Sequence, residues 1–380
     1  MASVAVTLSL IEFPALIKVV DYRPHNGSPR PNSFGALDVP DPELLHLHHP
    51  NSHFSGEARG GNSTFGSKVP RSEMTLFRWD VKYDRNGFRN DVDLNRADII
   101  VIGDSFVEGM TVPAPQLMTS LLAQLQGKVV ANLGQMDYGP IQELVVLKRY
   151  GLPLRPHTVV WMFYEGNDLL DVTNYHQRMS ASQPPQKPKP PPGFWSAFWE
   201  RSFTRNAYRQ LQKQYRRFLR PSGVKHAGII RTTNGQELTV YFFSPSHTLS
   251  ESELGALDET VRIVQTAQQL SAAQGARLLF VFAPTAFRVL HALCQFPPES
   301  ECRNWVLSDL PERLKSAVGA ISPDTGYLDL TPYLTDAAKS GVLPYYADDD
   351  HWTPAGQEIA AEAVNNYLQT VAKRGLRAAW

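Results

Sequence analysis

A serine follows directly after an apolar, β-branched run in the first half of the chain. Residues 99–102 are Ile-Ile-Val-Ile, and Gly103, Asp104 and Ser105 come next. Such a run predicts a buried strand, and the serine would lie on the tight turn that leaves it. Its hydroxyl and the N-terminus of the following helix would then face the same cleft. Taken alone, the same residues also suit an ordinary turn with a capping serine.

A histidine near the other end of the chain could activate this serine. Thr353 and Pro354 predict the N-cap and the first residue of a helix, so His351 lies in the loop just before it. Asp348, three residues before the histidine, can accept a hydrogen bond from one ring nitrogen and fix the tautomer. A serine, a histidine and an orienting aspartate form an activated nucleophile. We therefore predict that Ser105, His351 and Asp348 are catalytic.

Acyl chemistry also needs donors for a negative charge, and two further strand ends can supply them. Residues 129–134 form a short apolar run that ends in Gly134, and residues 158–164 form another that is followed closely by Asn167. The N–H groups of Ser105 and Gly134, with the Asn167 amide, predict an oxyanion hole. Taken singly, glycine and asparagine are also common turn residues.

Four blocks of the chain together resemble the SGNH/GDSL hydrolase superfamily. The matching residues are Gly103-Asp104-Ser105-Phe106, Gly134, Gly166-Asn167-Asp168, and Asp348 with His351. Within that superfamily the chain is most similar to bacterial cell-envelope members related to the alginate O-acetyltransferase-like proteins, over roughly residues 80–175 and 250–372. One position departs from the pattern. The segment that begins at Pro284 usually carries a lysine in those relatives, and here it carries Arg288.

The resemblance implies a serine esterase that acts on O-acyl esters of a carbohydrate, in particular O-acetyl esters, through an acyl-serine intermediate. Two alternatives stay open. One is an O-acetyltransferase that modifies a cell-envelope polysaccharide, and the other is a non-catalytic envelope protein that binds glycan. An intact set of serine, histidine and aspartate counts against the second, because a binding protein needs no activated nucleophile.

We expect no cofactor and no metal. The acidic run Asp348–Asp350 also suits a divalent cation, since hard cations bind clustered carboxylates. However, three consecutive carboxylates cannot all face one ion without a special loop. The serine mechanism itself requires no metal.

Alternating strands and helices would position these residues from about Asp98 onwards. Apolar runs predict strands at 99–103, 129–134, 158–164, 276–283 and 326–330. Helical spacing is found in 115–126 and 140–147, and Ser250 with Glu253 predicts a capping box at the start of a third helix. This alternation predicts an α/β fold with a parallel sheet between two layers of helices. With the resemblance, the expected fold is a flavodoxin-like three-layer α/β/α sandwich with a mainly parallel five-stranded sheet.

Three regions are predicted along the chain. Residues 1–20 are apolar but interrupted by charges and a proline, and we interpret them as the remnant of a signal anchor, with an amphipathic helix as the alternative. Residues 21–95 are rich in Pro, Gly, Ser, Asn and His, which predicts an irregular arm. Residues 96–372 form the SGNH hydrolase-like domain, with an insertion at 172–249.

The insertion contains three different segments. Residues 184–192 are rich in proline and predict an extended linker. Residues 194–219 predict a helix with a basic stripe and an aromatic side, and Asn234-Gly235 predicts a β-hairpin. The basic helix would either contact a membrane surface or an anionic glycan, or pack its aromatic side on the core. The N-terminal segment is a second candidate for association with a membrane surface.

Composition narrows the class of partner. The 380 residues include 37 basic and 37 acidic side chains, so no net charge favours nucleic acid. The expected partner is instead an ester-bearing small molecule or a polysaccharide. Cys294 and Cys302 flank a short Pro-containing loop, which suits a disulfide in an oxidising compartment, with two free thiols as the alternative. We therefore expect a location in the cell envelope, periplasmic or extracytoplasmic.

Overall fold

The structure is a computed structural model that describes residues 12, 38–61, 69–181, 202–209, 225–231 and 235–378. Its strands are β1 (Asp38–Asp41), β2 (Leu45–His48), β3 (His53–Arg59), β4 (Leu76–Lys82), β5 (Ile99–Gly103), β6 (Val130–Gly134), β7 (Thr158–Tyr164), β8 (Ala227–Arg231), β9 (Glu237–Tyr241), β10 (Arg277–Ala283), β11 (Cys294–Gln295) and β12 (Gly326–Asp329). Its α-helices are α1 (Ser105–Glu108), α2 (Met118–Gln126), α3 (Pro140–Val146), α4 (Asp168–Ala181), α5 (Glu251–Ala273), α6 (Ala286–Leu290), α7 (Leu310–Ile321), α8 (Thr331–Lys339) and α9 (Pro354–Ala378).

A five-stranded parallel sheet lies at the centre of the fold. Its strand order is β12-β10-β7-β5-β6, and every neighbouring pair is parallel. If the five strands of this sheet are numbered 1 to 5 in chain order, the sheet read from β6 to β12 has the order 2-1-3-4-5. This is the strand order of flavodoxin-like proteins. The predicted fold class is confirmed, and the five strands lie within about two residues of their predicted bounds.

Alternate residues of each strand pack on opposite faces of the sheet. Ile100 and Trp161 belong to one apolar core with residues of α5, whereas Val101 and Met162 belong to a second core with residues of α9. Strands that are buried on both faces form continuous apolar runs, which is why they were visible in the sequence. The predicted capping box at the start of α5 is formed as well, with Glu253 N donating to Ser250 Oγ over 3.3 Å.

The described part of the predicted irregular arm contains four β-strands, which were not predicted from the sequence. β1 pairs with β2 and β3 pairs with β4, in both cases antiparallel. In β4 the side chains of Phe77, Trp79 and Val81 are buried and the intervening ones are exposed. This period-two alternation in residues 76–82 was the signal for a strand.

The insertion is described in part. β8 and β9 form the predicted hairpin, and their described pairs run from Ala227 with Tyr241 to Arg231 with Glu237. Asn234 of the predicted turn lies outside the described residues. Residues 203–209 are helical within the predicted basic helix, and the rest of that helix and the Pro-rich segment 184–192 lie outside the described residues.

By internal contacts, the chain divides into one unit of Met1–Pro29 with Met179–Gly223 and a second of Arg30–Arg178 with Val224–Trp380. In the first unit, Glu12 accepts hydrogen bonds from Ser202 Oγ (2.9 Å) and from the N–H groups of Phe203 and Thr204 (3.1 and 2.6 Å). A carboxylate in this position stabilises the start of the helix at 203. The rest of segment 1–20 lies outside the described residues, and none of the described helices is long and apolar enough to span a bilayer.

The predicted disulfide is not formed. Cys294 and Cys302 are both free thiols. Cys294 lies in β11, where it pairs with Ile230, and Cys302 is buried in a short helix at Glu301–Asn304. The two cysteines therefore belong to different secondary-structure elements. Burial raises the pKa of both thiols, to about 12 for Cys294 and about 11 for Cys302.

Candidate active site

Ser105 is the first residue of a four-residue helix at the carboxyl end of β5. Asp104 is the N-cap, and its side chain accepts a hydrogen bond from Phe106 N over 2.9 Å. A Cβ built on Gly103 would come within 2.6 Å of Val107 Cγ2, so glycine is needed where the strand passes under the helix. Because N–H groups in a first helical turn have no partner within the helix, the Ser105 N–H can bind a ligand.

The serine and the histidine meet, although 246 positions separate them in the chain. His351 Nε2 lies 2.9 Å from Ser105 Oγ, which is hydrogen-bond distance. On its other side, His351 Nδ1 contacts Asp349 Oδ1. The imidazole also stacks on Phe106, with ring centroids 5.2 Å apart. The ring is therefore oriented between a hydroxyl and a carboxylate.

The aspartate that contacts the histidine is Asp349, and the assignment of Asp348 to this position is corrected. Asp349 Oδ1 accepts from His351 N over 3.0 Å as well as from the ring. Asp348 is equally buried but accepts from Thr75 N and Thr75 Oγ1 instead. The loop is closed by Tyr346 N, which donates to the His351 carbonyl over 3.1 Å. This closure turns Asp349, two residues before the histidine, back onto the ring.

Asp350, the third aspartate of the run, bonds to Ser244 and not to the His351 ring. Asp350 Oδ2 accepts from Ser244 Oγ over 2.7 Å, in the segment that follows β9. Burial raises the pKa of Asp350 to about 6. The three neighbouring carboxylates therefore point at three partners, and among the described residues no group of acidic, histidine or cysteine side chains could hold a metal ion.

The charges around His351 favour its protonated form. Burial alone would lower its pKa, but the carboxylate of Asp349, and then those of Asp104 and Asp350, raise the pKa to about 9. A carboxylate that raises the basicity of an imidazole strengthens it as a proton acceptor. The same environment stabilises the imidazolium that proton transfer would produce.

The N–H of Gly134 is already used, so the geometry does not support its predicted role as an oxyanion donor. It donates to Asn132 Oδ1 over 3.0 Å. A Cβ built on Gly134 would lie 2.4 Å from Glu108 N, at the back of α1. Glycine at this position permits the close approach of α1 to β6. Its role here is to position the helix that carries Ser105.

Asn167 lies just before α4, with one amide hydrogen oriented by a neighbour. Its Nδ2 donates to Asp171 Oδ2 over 2.8 Å. An amide nitrogen carries two hydrogens, so a second is left for a ligand. Asn167 also lines a cavity of about 350 Å³, described below.

A buried network under α1 was not predicted. Glu108 Oε1 accepts from His48 Nε2 (3.0 Å) and from the Tyr83 hydroxyl (2.6 Å), while its Oε2 accepts from Met136 N (2.7 Å). Arg89 donates to the Glu108 carbonyl over 3.0 Å. The network ties α1 to the arm and to the loop after β6. The stretch 83–89 therefore holds the nucleophile helix α1 in place through Tyr83 and Arg89.

Sequence reasoning also missed a cluster of buried acids beside the site. Burial raises the pKa of Asp104 to about 6 and that of Asp171 to about 7, and it raises the pKa of Glu143 and Asp168 well above the usual range. Glu143 Oε2 accepts from Trp161 Nε1 over 2.6 Å. Burial therefore favours the protonated form of both Glu143 and Asp168. The signal for Glu143 in the sequence was its position, next to Gln142, within the mainly apolar segment 140–147.

Arg288, in the segment that usually carries a lysine in the relatives, forms a buried ion pair. Its Nε donates to both carboxylate oxygens of Glu165, over 2.8 and 2.9 Å, and its Nη2 donates to the Ser308 carbonyl over 2.8 Å. The same carboxylate accepts from Thr285 N over 2.9 Å. Arg288 thus joins the ends of β7 and β10 next to Asn167. The planar fork of arginine suits this two-oxygen contact better than a lysine does.

Residues 241–379 match the family model described as an SGNH hydrolase-like domain of the acetyltransferase AlgX. The predicted SGNH resemblance is thereby confirmed. The matched residues contain the His351 loop, whereas Ser105 lies outside them. No curated protein matches the chain.

Several solved structures are similar to the chain at low sequence identity. One is a GDSL-like lipase from Bacteroides thetaiotaomicron, with 12% identity, coverage of 72% of this chain and 88% of that one, and a TM-score of 0.34. Another is a variant of an acetyl-xylooligosaccharide esterase from Geobacillus stearmophilus, with 11% identity, coverage of 72% and 94%, and a TM-score of 0.37. A third is a carbohydrate esterase family 2 enzyme from Corynascus thermopiles, with 12% identity, coverage of 80% and 75%, and a TM-score of 0.37.

Proposed function

We propose that this protein is a serine esterase of the SGNH type that removes O-acyl groups, in particular O-acetyl groups, from a carbohydrate. One observation carries the proposal. His351 Nε2 lies 2.9 Å from Ser105 Oγ while His351 Nδ1 contacts Asp349, which is the arrangement of an activated nucleophile. The proposed catalytic residues are Ser105, His351 and Asp349.

The reaction would proceed in two steps. Neutral His351 removes the Ser105 proton as Oγ attacks the ester carbonyl, and the imidazolium then gives that proton to the departing alcohol oxygen. Asp349 stabilises the imidazolium and holds the ring in place. Water, deprotonated by His351 in the same manner, attacks the acyl-serine and releases the acid and the free serine.

Two donors support a negatively charged oxygen in the intermediate. They are the Ser105 N–H at the start of α1 and the second Nδ2 hydrogen of Asn167. Each such donor typically contributes about 3 kcal/mol to the stability of the transition state. Gly134 would contribute by holding α1 against β6 and not by donating to the oxyanion.

The proposal of a carbohydrate substrate is supported by the cavity of about 350 Å³ that adjoins Asn167. Side-chain hydroxyls line much of it, from Thr173, Ser246, Ser250, Ser252, Thr285 and Ser308. Hydroxyls both donate and accept hydrogen bonds, as a sugar requires. His247 and Glu253 add polar groups to the same wall.

The direct test is turnover of an activated acetyl ester. The purified protein is incubated with p-nitrophenyl acetate, and then with O-acetylated neutral and acidic glycans, while acetate release is measured. We expect nitrophenol and acetate in equal amounts, and acetate from at least one glycan. Absence of turnover on every ester, with the fold intact by circular dichroism, would overturn the proposal.

An O-acetyltransferase is the second candidate, and the family model described as an AlgX acetyltransferase favours it. The same acyl-serine would then be resolved by a sugar hydroxyl in place of water. In the assay above, adding a deacetylated glycan would move the acetyl group to the glycan, which mass spectrometry detects. Glycan binding without any turnover would favour the non-catalytic alternative.

The rate at which the protein hydrolyses an activated ester is expected to increase with pH up to about 9. His351 accepts a proton only when neutral, and its raised pKa of about 9 keeps it protonated at lower pH. A plot of log(kcat/KM) against pH should therefore rise below that value and level above it. A plateau that begins at pH 7 or lower would contradict this, provided that circular dichroism shows the same fold throughout.

The proposed location is the cell envelope, and the proposed partner is an ester-bearing polysaccharide or small molecule. Both follow from the resemblance to envelope proteins. Association with a membrane surface through the N-terminal segment or the basic helix 194–219 stays a prediction, because most of those residues lie outside the described part of the chain.

A further inference from the structure

The β3–β4 ribbon of the arm reaches the acidic loop that carries Asp349. The ribbon pairs His53–Arg59 with Leu76–Lys82, and Gly60 N continues the pairing by donating to the Thr75 carbonyl over 2.8 Å. Thr75 and Gly61 therefore lie side by side at one end of the ribbon. Each of them contacts a different carboxylate of the loop.

Thr75 holds Asp348 at two points. Its N–H donates to Asp348 Oδ2 over 2.9 Å, and its hydroxyl donates to Oδ1. Asp348 is fully buried, so these bonds replace the water that its carboxylate would otherwise bind. With both oxygens bound, the residue just before Asp349 is fixed.

Gly61 lies directly against Asp349. A Cβ built on Gly61 would stand 1.9 Å from Asp349 Oδ2 and 2.7 Å from its Cγ. Real Cβ atoms do not approach so closely, so any larger residue here displaces the carboxylate. The opposite oxygen, Oδ1, is the one that contacts His351.

Aromatic packing secures the ribbon to the same loop. Phe77 of β4 packs edge-to-face on Tyr346, with ring centroids 4.8 Å apart. Tyr346 in turn donates its N–H to the His351 carbonyl over 3.1 Å and its hydroxyl to the Thr111 carbonyl over 3.0 Å. Tyr346 thus connects the β3–β4 ribbon to the loop that carries His351.

We propose that the β3–β4 ribbon positions the acid–base pair, with Gly61 and Thr75 as the positioning residues that set where Asp349 meets His351. This inference rests on the proposed serine mechanism. Both residues act through the carboxylates that they hold.

Three variants test the proposal by kinetics on p-nitrophenyl acetate. Gly61→Ala should lower kcat about 10²-fold with KM nearly unchanged, since small displacements of a catalytic group have effects of that size. Thr75→Val should lower kcat about tenfold, and Thr75→Ser, which keeps the hydroxyl, should restore most of it. Gly319→Ala and Thr266→Val are matched controls, because Gly319 has open space around it and Thr266 bonds only within its own helix.

A second readout reports on His351 without any turnover. Among the described residues, the carboxylates whose charges act on its ring are Asp349 and Asp350 on its own loop and Asp104 at the nucleophile turn. Displacing Asp349 should therefore lower the pKa of His351 in an NMR titration of Gly61→Ala, and the low-field signal of the Nδ1 proton should shift or vanish.

These measurements distinguish failure of the positioning role from failure of the proposed esterase function. If the wild-type protein has no esterase activity but Gly61→Ala still shifts the pKa of His351, the proposed function is overturned and the positioning role of Gly61 is retained. An active wild type, with Gly61→Ala unchanged in kcat and in the titration, overturns the positioning role. Equal loss in Thr75→Ser and Thr75→Val also overturns it, because the hydroxyl would then not be the group that acts.

Discussion

Replacing Ser105 with alanine is expected to lower kcat on p-nitrophenyl acetate by about 10⁴- to 10⁶-fold, because the members of a triad act as one unit. The variant removes only the hydroxyl that lies 2.9 Å from His351 Nε2. The fold should be unaffected, since Ser105 Oγ supports no other described element. Stopped reactions analysed by mass spectrometry should show an acetylated serine peptide in the wild type and none in the variant.

A serine elsewhere on the surface controls for the substitution. The Ser340 hydroxyl donates to the nearby Ala337 carbonyl, so Ser340→Ala should keep full activity. His351→Ala should be nearly as damaging as Ser105→Ala. If Ser105→Ala retained near wild-type activity, the nucleophile would have to be another residue.

Replacing Asp349 with asparagine is expected to lower kcat by about 10³- to 10⁴-fold, the effect known for an orienting aspartate that loses its charge. The amide can no longer stabilise the imidazolium and can present a hydrogen to Nδ1, which favours the wrong tautomer. The pKa of His351 should fall as well, because Asp349 is the charge that raises it most. The rising part of the pH profile should then move to lower pH.

The two neighbouring aspartates are the natural comparison. Asp348→Asn should cost no more than about tenfold, since an asparagine oxygen can still accept one Thr75 bond. Asp350→Asn should also have a small effect, because its carboxylate bonds to Ser244 and not to the ring. A larger loss from Asp348→Asn than from Asp349→Asn would show that the carboxylates exchange places in solution.

Much of the fold could be predicted because its strands are buried on both faces. Residues 99–103, 158–164 and 277–283 lie inside two apolar cores, so each is a continuous apolar run with a polar or glycine end. The β3–β4 ribbon was missed because its alternation is short and lies among turn-forming residues. Its burial depends on Met110 and Tyr346, which are distant in sequence.

The positions of Ser105 and His351 also follow from local signals. A serine on the turn after a buried strand must lie at the carboxyl edge of the sheet, and a histidine just before a capped helix can reach the same edge. The choice between Asp348 and Asp349 could not be made in this way. Spacing alone allows either carboxylate to reach the ring.

The sequence by itself determined the parallel sheet, the nucleophile turn and the histidine loop, because hydrophobic runs and caps act over a few residues. Only the tertiary structure decided which aspartate contacts His351, since Thr75 and Gly61 reach that loop from more than 270 positions away. It also decided that the Gly134 N–H is bound by Asn132 and that Arg288 pairs with Glu165. Hydrogen bonds of this kind depend on where distant groups are brought together, and no local pattern specifies that.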